Sequence, residues 1–377
     1  VTRTTYAILA GGGTVGHVAP ALSVAHALVA RGHAPESIHF VGSSRGRESE
    51  MVPAAGFRLT VLPGRGLVRK LAFSNVKAIA GLVVATFRAI ALVRREHPSV
   101  VVNLGGYASV PCTLAAVLLR VPIIVVSYDA VPGSASRLAA RFAKANAVAL
   151  EGSTLPRAVV TGAPVRPEVS ALDHSPETRE DARRQLDLPV DGKVVAVTSG
   201  SLGARRVNEA TVELAAQWRD RSGVVIYHAV GKRDFEMISA RAGRIPDGPL
   251  DYRPVEFETR LPLLLAACDV AIGRAGASTI AELTVIGVPS VLVPLPGAPG
   301  DHQTENARRL ESASAAILLP DSECGAGSLG EILDDLLGDP ARLEAMGKAA
   351  AGLGRSDAAE RIASLIEEHA RSRKDHA

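Results

Sequence analysis

Tyr6-Ala-Ile-Leu-Ala-Gly-Gly-Gly-Thr-Val-Gly-His17 is the stretch that decides the fold of this chain. A short apolar run, Tyr6–Leu9, breaks into Gly11, Gly12 and Gly13, and a helical periodicity follows over His17–Arg31. Strand, glycine turn and helix in that order make a βα unit. The unit then recurs. Ser37–Val41 predicts a second strand, and Val100–Asn103 a third, followed by Gly105-Gly106 and an Ala/Leu-rich helix near Val110–Leu119. Ile123–Val126 predicts a fourth, with a helix over Ser134–Lys144, and Ala147–Leu150 closes the half. Strands alternating with helices give a parallel sheet covered on both faces.

Pro164, Pro167 and Pro176 mark a linker, after which the pattern restarts. Val194–Thr198 predicts a strand, Ser199–Ala204 a turn and Val207–Trp218 a helix; Val224–Ala229, Asp269–Ile272 and Ser290–Val293 supply further strands. The expected architecture is α/β, with two doubly wound domains and a cleft between them. Their expected bounds are residues 1–164 and 165–355, with a last helix within 356–377 packing back on the first domain. Ligands in such sheets bind at the C-terminal ends of the strands.

Composition agrees with two domains. The 377 residues are 47% hydrophobic, enough for two cores, and only 3% aromatic, so Ala, Val and Leu must fill them. A net charge of +3 without long Lys/Arg runs argues against a nucleic-acid partner. Cys112, Cys268 and Cys324 are odd in number and far apart, which fits a reducing compartment and gives no zinc pattern. Tyr6–Ala10 is too short for the apolar core of a signal peptide. No uninterrupted run of roughly 18 apolar residues occurs. A soluble cytoplasmic protein is expected.

Gly11-Gly-Gly-Thr-Val-Gly16 matches the dinucleotide-binding pattern G-x-G-x-x-G. That reading needs a carboxylate at the end of the second strand, and Phe40-Val-Gly-Ser-Ser-Arg45 has none, which disfavours NAD. Arg45 leaves NADP open, and a purely structural tight turn is a third reading. The loop's physics suits any anion, because free N–H groups at a helix start attract negative charge. A helix N-terminus also disfavours imidazolium, so His17 is expected to be neutral and able to accept a proton from a hydroxyl. A capping histidine is the bland alternative.

The second half carries three stretches of the same character. Ser199-Gly-Ser-Leu-Gly-Ala204 follows a strand and opens a helix, making a second anion-binding turn through Gly200 and Gly203. Arg274-Ala-Gly-Ala-Ser-Thr-Ile-Ala-Glu282 is a small-residue turn running into a helix. Small residues let a ligand approach the backbone, and a carboxylate such as Glu282 can accept both hydroxyls of a ribose. Pro294–Asp301 is a loop, followed by His302-Gln303 and Asn306 at another helix start.

These stretches together resemble the MurG family of bacterial glycosyltransferases. The resemblance runs from Ala10–His17 through Gly105-Gly-Tyr107, Ala130-Val-Pro-Gly133, Gly162-Ala-Pro-Val-Arg166, Gly200–Ala204, Arg274–Glu282 and Asp301-His-Gln303. It implies a GT-B fold of two Rossmann-like domains, the second holding UDP-N-acetylglucosamine. It also implies transfer of the sugar to undecaprenyl-pyrophosphoryl-N-acetylmuramoyl-pentapeptide (lipid I), giving lipid II. By resemblance, Thr14, Val15, Gly16, Asp129, Arg166, Ser201, Glu282 and Gln303 fall on donor-contacting positions. Gly11, Gly12, Gly13, Gly200 and Gly203 form the phosphate loops, and His17 falls on the histidine proposed as base. Three stretches depart from the family pattern. Val15 replaces a glycine, Val126-Ser-Tyr-Asp129 replaces His-Glu-Gln-Asn, and Leu202 replaces a glutamine.

No Asp-x-Asp metal motif is present, so no metal cofactor is expected. The charge on departing UDP would then fall to backbone N–H groups and to Arg166. Leu71–His97 reads as one long apolar helix. Its Lys77, Arg88 and Arg95 fall within roughly 20° of each other at about 100° per residue. Arg69, Lys70 and Arg94 add charge at the ends. Either the helix is buried with its basic side chains reaching outward, or it meets an anionic membrane at the inner face of the cell. A glycosyltransferase of another acceptor, or a nucleotide-sugar-binding protein without turnover, remains open beside the lipid I reading.

Overall fold

All four strands that the sequence reading leaves out lie at the edges of the two sheets. The computed structural model describes residues 5–12, 15–43, 48–64, 74–200 and 203–371, with backbone alone for residues 15–17 and 74–78. Its chain forms two units, residues 1–166 with 355–377 and residues 167–354.

The first unit holds strands β1 (Ala7–Ala10), β2 (Ile38–Ser43), β3 (Arg58–Leu62), β4 (Val100–Asn103), β5 (Ile123–Ser127), β6 (Ala145–Val148) and β7 (Ala158–Val160). They pair in the order β3-β2-β1-β4-β5-β6-β7, every ladder parallel. Helices α1 (Val15–Ala30), α2 (Glu48–Ala54), α3 (Ser74–Glu96), α4 (Ser109–Leu118) and α5 (Ser134–Ala140) connect them. The inner strands are buried on both faces, which explains their unbroken Val/Ile/Ala runs. One core packs β1, β2 and β4 against α1; the other packs their opposite face against α3 and α4.

The second unit repeats the plan. It opens with α6 (Pro167–Ser170) and α7 (Pro176–Gln185), and its strands are β8 (Lys193–Thr198), β9 (Val224–Ala229), β10 (Asp251–Val255), β11 (Val270–Gly273), β12 (Ser290–Leu292) and β13 (Ala316–Leu318). Their order is β10-β9-β8-β11-β12-β13, again parallel throughout. Helices α8 (Arg205–Gln217), α9 (Phe235–Ala242), α10 (Leu261–Ala267), α11 (Ala277–Ile286), α12 (His302–Ser312), α13 (Ala326–Leu337) and α14 (Pro340–Leu353) cover it.

The last helix, α15 (Ala358–His369), returns to the first unit and packs on α1. Ile362, Ala363 and Ile366 enter that unit's core, and Glu367 takes ion pairs from Arg31 at 2.6 Å and His33 at 2.9 Å. Other element ends shift slightly from expectation. The α5 helix stops at Ala140 rather than Lys144, because the chain must already turn into β6 at Ala145.

Candidate active site

Each sheet reverses its strand order once, between β1 and β4 in the first unit and between β8 and β11 in the second. The crevice beyond the C-terminal strand ends at such a reversal is where open α/β sheets bind ligands. Both crevices here are lined by glycine turns. In the first unit, Ala10 pairs with Asn103, so Gly11-Gly12 and Gly105-Gly106 leave the sheet side by side. Asn103 is buried; its Oδ1 accepts from the Gly105 N–H at 3.0 Å and its Nδ2 donates to Thr113 Oγ1 at 2.9 Å. Gly12 has a φ of +138°, and a Cβ there would lie 1.8 Å from Glu48 Oε1. Only a glycine lets Glu48 and this turn share the space.

Val15, Gly16 and His17 form the first residues of α1, where backbone N–H groups are unpaired by the helix itself. Gly13 and Thr14 lie outside the described residues, as does Arg45. Asp129 is half-buried, two residues beyond the end of β5. Arg166, also half-buried, is the last residue of the unit.

In the second unit, Thr198 pairs with Gly273, bringing Ser199-Gly200 beside Arg274-Ala-Gly276. Ser201 and Leu202 lie outside the described residues. Gly200 and Gly203 have φ of +65° and +78°, and the Gly203 N–H donates to the Gly200 carbonyl at 3.1 Å. Glu282 is the sixth residue of α11, half-buried. Gln303 stands in the first turn of α12, and its Oε1 accepts from the Leu295 N–H at 2.9 Å. Asn306 is buried one turn on and donates to the Ala275 carbonyl at 3.0 Å. Arg274 ties the next loops together, donating to the Val293 and Pro294 carbonyls and to Asp321 at 2.6 Å. The turns after β11, β12 and β13 are therefore held as one surface.

Beside this surface opens a pocket of about 480 Å³, lined by Gly203, Arg205, Arg206, Arg233, Arg274 and Asp321 among others. Arg205 and Arg233 are half-exposed and both pair with Asp234, whose side chain is fully buried. The Arg233 guanidinium holds the Asp234 carboxyl below its usual range against the opposing effect of burial. The result is two guanidinium groups with fixed positions at the mouth of the glycine turn. The sequence reading missed Arg205, Asn208, Arg233 and Asp234. The one legible signal was Asn208, a polar residue one turn into α8 on its apolar face. Among the described residues, no group of three or more His, Cys, Asp or Glu is placed to hold a metal ion.

The α3 helix is amphipathic rather than wholly buried. Ala85, Ala89, Leu92 and Val93 enter the core, while Ile79, Val83, Val84 and Phe87 face outward, Phe87 with 70% of its surface exposed. Arg88 is exposed on the same helix. Arg95 is exposed too, but its guanidinium donates to buried Glu96 at 3.0 Å, together with Arg58 at 2.9 Å. Lys77 is described in backbone alone, and Arg69 and Lys70 lie outside the described residues. The neighbouring α4 helix, packed against α3, exposes Leu114, Val117 and Leu118. Among the described residues no helix is long and apolar enough to cross a membrane.

The chain that carries these two glycine turns matches a known family over most of its length. Residues 7–148 match the glycosyltransferase family 28 N-terminal domain, and residues 194–362 its C-terminal domain. The UDP-N-acetylglucosamine–N-acetylmuramyl-(pentapeptide) pyrophosphoryl-undecaprenol N-acetylglucosamine transferase of Desulforudis audaxviator is 37% identical over 368 residues, 96% of this chain and 97% of that protein. The protein of the same name from Acidothermus cellulolyticus is 38% identical over 370 residues, 98% of this chain and 99% of its own. The crystal structure of Acinetobacter baumannii MurG superposes with a TM-score of 0.76 at 27% identity, covering 97% of this chain and 99% of that one. Likeness of that extent in both sequence and fold places this chain in the MurG family of glycosyltransferases.

Proposed function

We propose that the chain moves N-acetylglucosamine, with inversion, from UDP-N-acetylglucosamine to the 4-hydroxyl of the muramoyl sugar of lipid I. The product is lipid II, the precursor that peptidoglycan synthesis consumes. What carries this reading is the pair of glycine turns, one at the switch point of each sheet, in a chain of this family. Two such turns provide for two phosphorylated substrates, a nucleotide sugar and a lipid pyrophosphate.

The roles divide between the units. In the second, Glu282 accepts the ribose hydroxyls, Ser201 with Gly200 and Gly203 receives the donor phosphates, and Gln303 meets the sugar. In the first, Gly11–Gly16 with Thr14 and Val15 present N–H groups to negative charge, and Asp129 borders the same crevice. His17 takes the proton from the attacking hydroxyl as its oxygen closes on the anomeric carbon and the bond to UDP breaks. Arg166 and the backbone N–H groups stabilise the charge that develops on UDP.

The acceptor is lipid-linked, so the protein acts as a peripheral protein on the inner face of the cell membrane. The outward apolar residues of α3, with Lys77, Arg88 and Arg95 on the same helix, suit an anionic lipid surface. Incubation of the purified chain with labelled UDP-N-acetylglucosamine and a short-chain lipid I analogue tests the proposal. Label is expected in the lipid fraction, with one UDP released for each sugar transferred. Donor binding without transfer would replace this reading with that of a nucleotide-sugar-binding protein.

A further inference from the structure

Beneath the second glycine turn runs a buried polar chain to which the roles above give no work. His228 is the fifth of the six residues of β9, after Val224, Val225, Ile226 and Tyr227, with none of its surface exposed. Its Nε2 lies 2.9 Å from Asn208 Oδ1 on α8, and its Nδ1 lies 2.9 Å from the Tyr252 hydroxyl on β10. The Asn208 amide has only one orientation that fits. Its Nδ2 donates to the Val230 carbonyl at 3.0 Å and to Asp234 Oδ2 at 3.2 Å. Oδ1 must accept, and it takes the Ser199 hydroxyl as well as His228. His228 therefore carries its proton on Nε2, and the Tyr252 hydroxyl donates to the bare Nδ1.

The chain of hydrogen bonds ends on the turn itself. Ser199 immediately precedes Gly200, and its own N–H is tied to the Ala229 carbonyl at 3.1 Å. From the β9 side, Val230, Gly231 and Asp234 form the floor under the turn. A Cβ on Gly231 would fall 2.8 Å from the Gly200 carbonyl oxygen, and one on Gly203 would fall 2.9 Å from Asp234 Oδ2. Neither Gly231 nor Gly203 has room for a side chain, so Gly200 and Gly203 sit directly on this floor. Asn208 is the hub, since it bonds Ser199 above and both Val230 and Asp234 below. Without a donor at Nε2, the Asn208 carbonyl oxygen keeps only the Ser199 hydroxyl, and the hub is held by one partner fewer.

Packing alone does not call for a histidine here. Val225 and Ile226, two neighbours in β9, fill the same sheet with apolar side chains. A buried imidazole costs desolvation unless every partner is met, so its presence needs the network it serves.

We propose that His228 is a positioning residue for donor binding: as the Nε2–H tautomer it fixes Asn208, and through Asn208 it holds Ser199 and the adjoining Gly200, which open the loop assigned to a donor phosphate. This rests on the reading that the second unit binds the nucleotide sugar. The test titrates UDP by calorimetry into the full chain and its His228→Leu, His228→Asn and His228→Gln variants, with thermal melts alongside. Gln places an N–H where Nε2 stands; Asn is too short to reach, and Leu has none. Leu and Asn are expected to raise the UDP Kd roughly 10-fold, and Gln to restore most of the affinity. The donor KM should follow the Kd, with kcat at saturating donor and the acceptor KM nearly unchanged. Should the Leu variant fail to fold, the contrast between Asn and Gln decides. A wild-type chain that does not bind UDP overturns the donor reading itself. Wild-type binding with equal affinity in the Asn and Gln variants overturns the positioning role alone.

Discussion

Gly106 lies so close to Gly12 that a Cβ on Gly106 would stand 2.4 Å from the Gly12 carbonyl oxygen. Gly106 also has a φ of +79°, which an L side chain resists. The turn after β4 thus presses directly on the turn after β1, and Gly12 is held from the side as well as from its own strand. Gly106→Ala should destabilise the first unit by about 1–3 kcal/mol through overpacking. It should also lower transfer while leaving UDP binding intact, since the proposal assigns the nucleotide to the other unit. Chemical unfolding and UDP calorimetry on the same variant check both halves; a normal melt with normal turnover would contradict the interlock.

Glu282 makes a simpler prediction. If its carboxylate accepts the ribose hydroxyls, Glu282→Ala should raise the donor KM more than it lowers kcat. A lost charged hydrogen bond is worth roughly 1.5–3 kcal/mol, or about 10-fold to 150-fold in affinity. Calorimetry showing unchanged UDP affinity would remove Glu282 from the donor site.

For the proposed membrane face, charge reversal at Lys77 and Arg88 should weaken binding to anionic vesicles by about 2 kcal/mol per site, more visibly at low salt. Phe87→Ser should weaken binding to vesicles of any charge, because it removes apolar area rather than charge. Co-sedimentation that responds to none of these changes would mean that the face meets something other than lipid.

The buried histidine gives a pH test. Burial pushes the His228 imidazole down to about 3 from its ordinary 6.5. Its ring faces Tyr252 and Asn208, with Asp234 and the guanidinium groups of Arg205 and Arg233 one bond further on. Between pH 6.5 and 3 the unfolded chain binds a proton at this position and the folded chain does not. The stability His228 contributes is therefore fully present above 6.5 and is lost as pH falls toward 3. Unfolding free energies of wild type and His228→Gln, compared from pH 7 to 4.5, should shift steadily in favour of the Gln variant. A constant difference across that range would mean that the imidazole titrates normally.

What the sequence made legible follows burial closely. The inner strands, such as Val100–Asn103 and Val224–Ala229, are apolar on both faces and stand out as runs. The four edge strands do not. Arg58–Leu62 and Asp251–Val255 are only partly buried and carry charge, the latter with Pro254, which a sheet tolerates at its rim. Ala158–Val160 and Ala316–Leu318 are three residues each, too short for any period to show. The glycine turns could be read because their residue type is dictated locally. The groups beneath them could not, since Asn208, His228, Asp234 and Tyr252 come from three strand–helix connections and meet only in the fold. The α3 face was half legible: its charges were visible, but which apolar residues turn outward depends on where α4 and the sheet lie.

The central claim is that the first unit supplies the chemistry and the second holds the nucleotide, and His17→Ala tests it most directly. A general base contributes roughly 10²–10⁴-fold to rate. Single-turnover transfer from labelled UDP-N-acetylglucosamine to a lipid I analogue should fall by that order in the variant, while its UDP Kd by calorimetry stays at the wild-type value. Near-wild-type transfer, or a loss of UDP affinity as large as the loss of rate, would contradict the account.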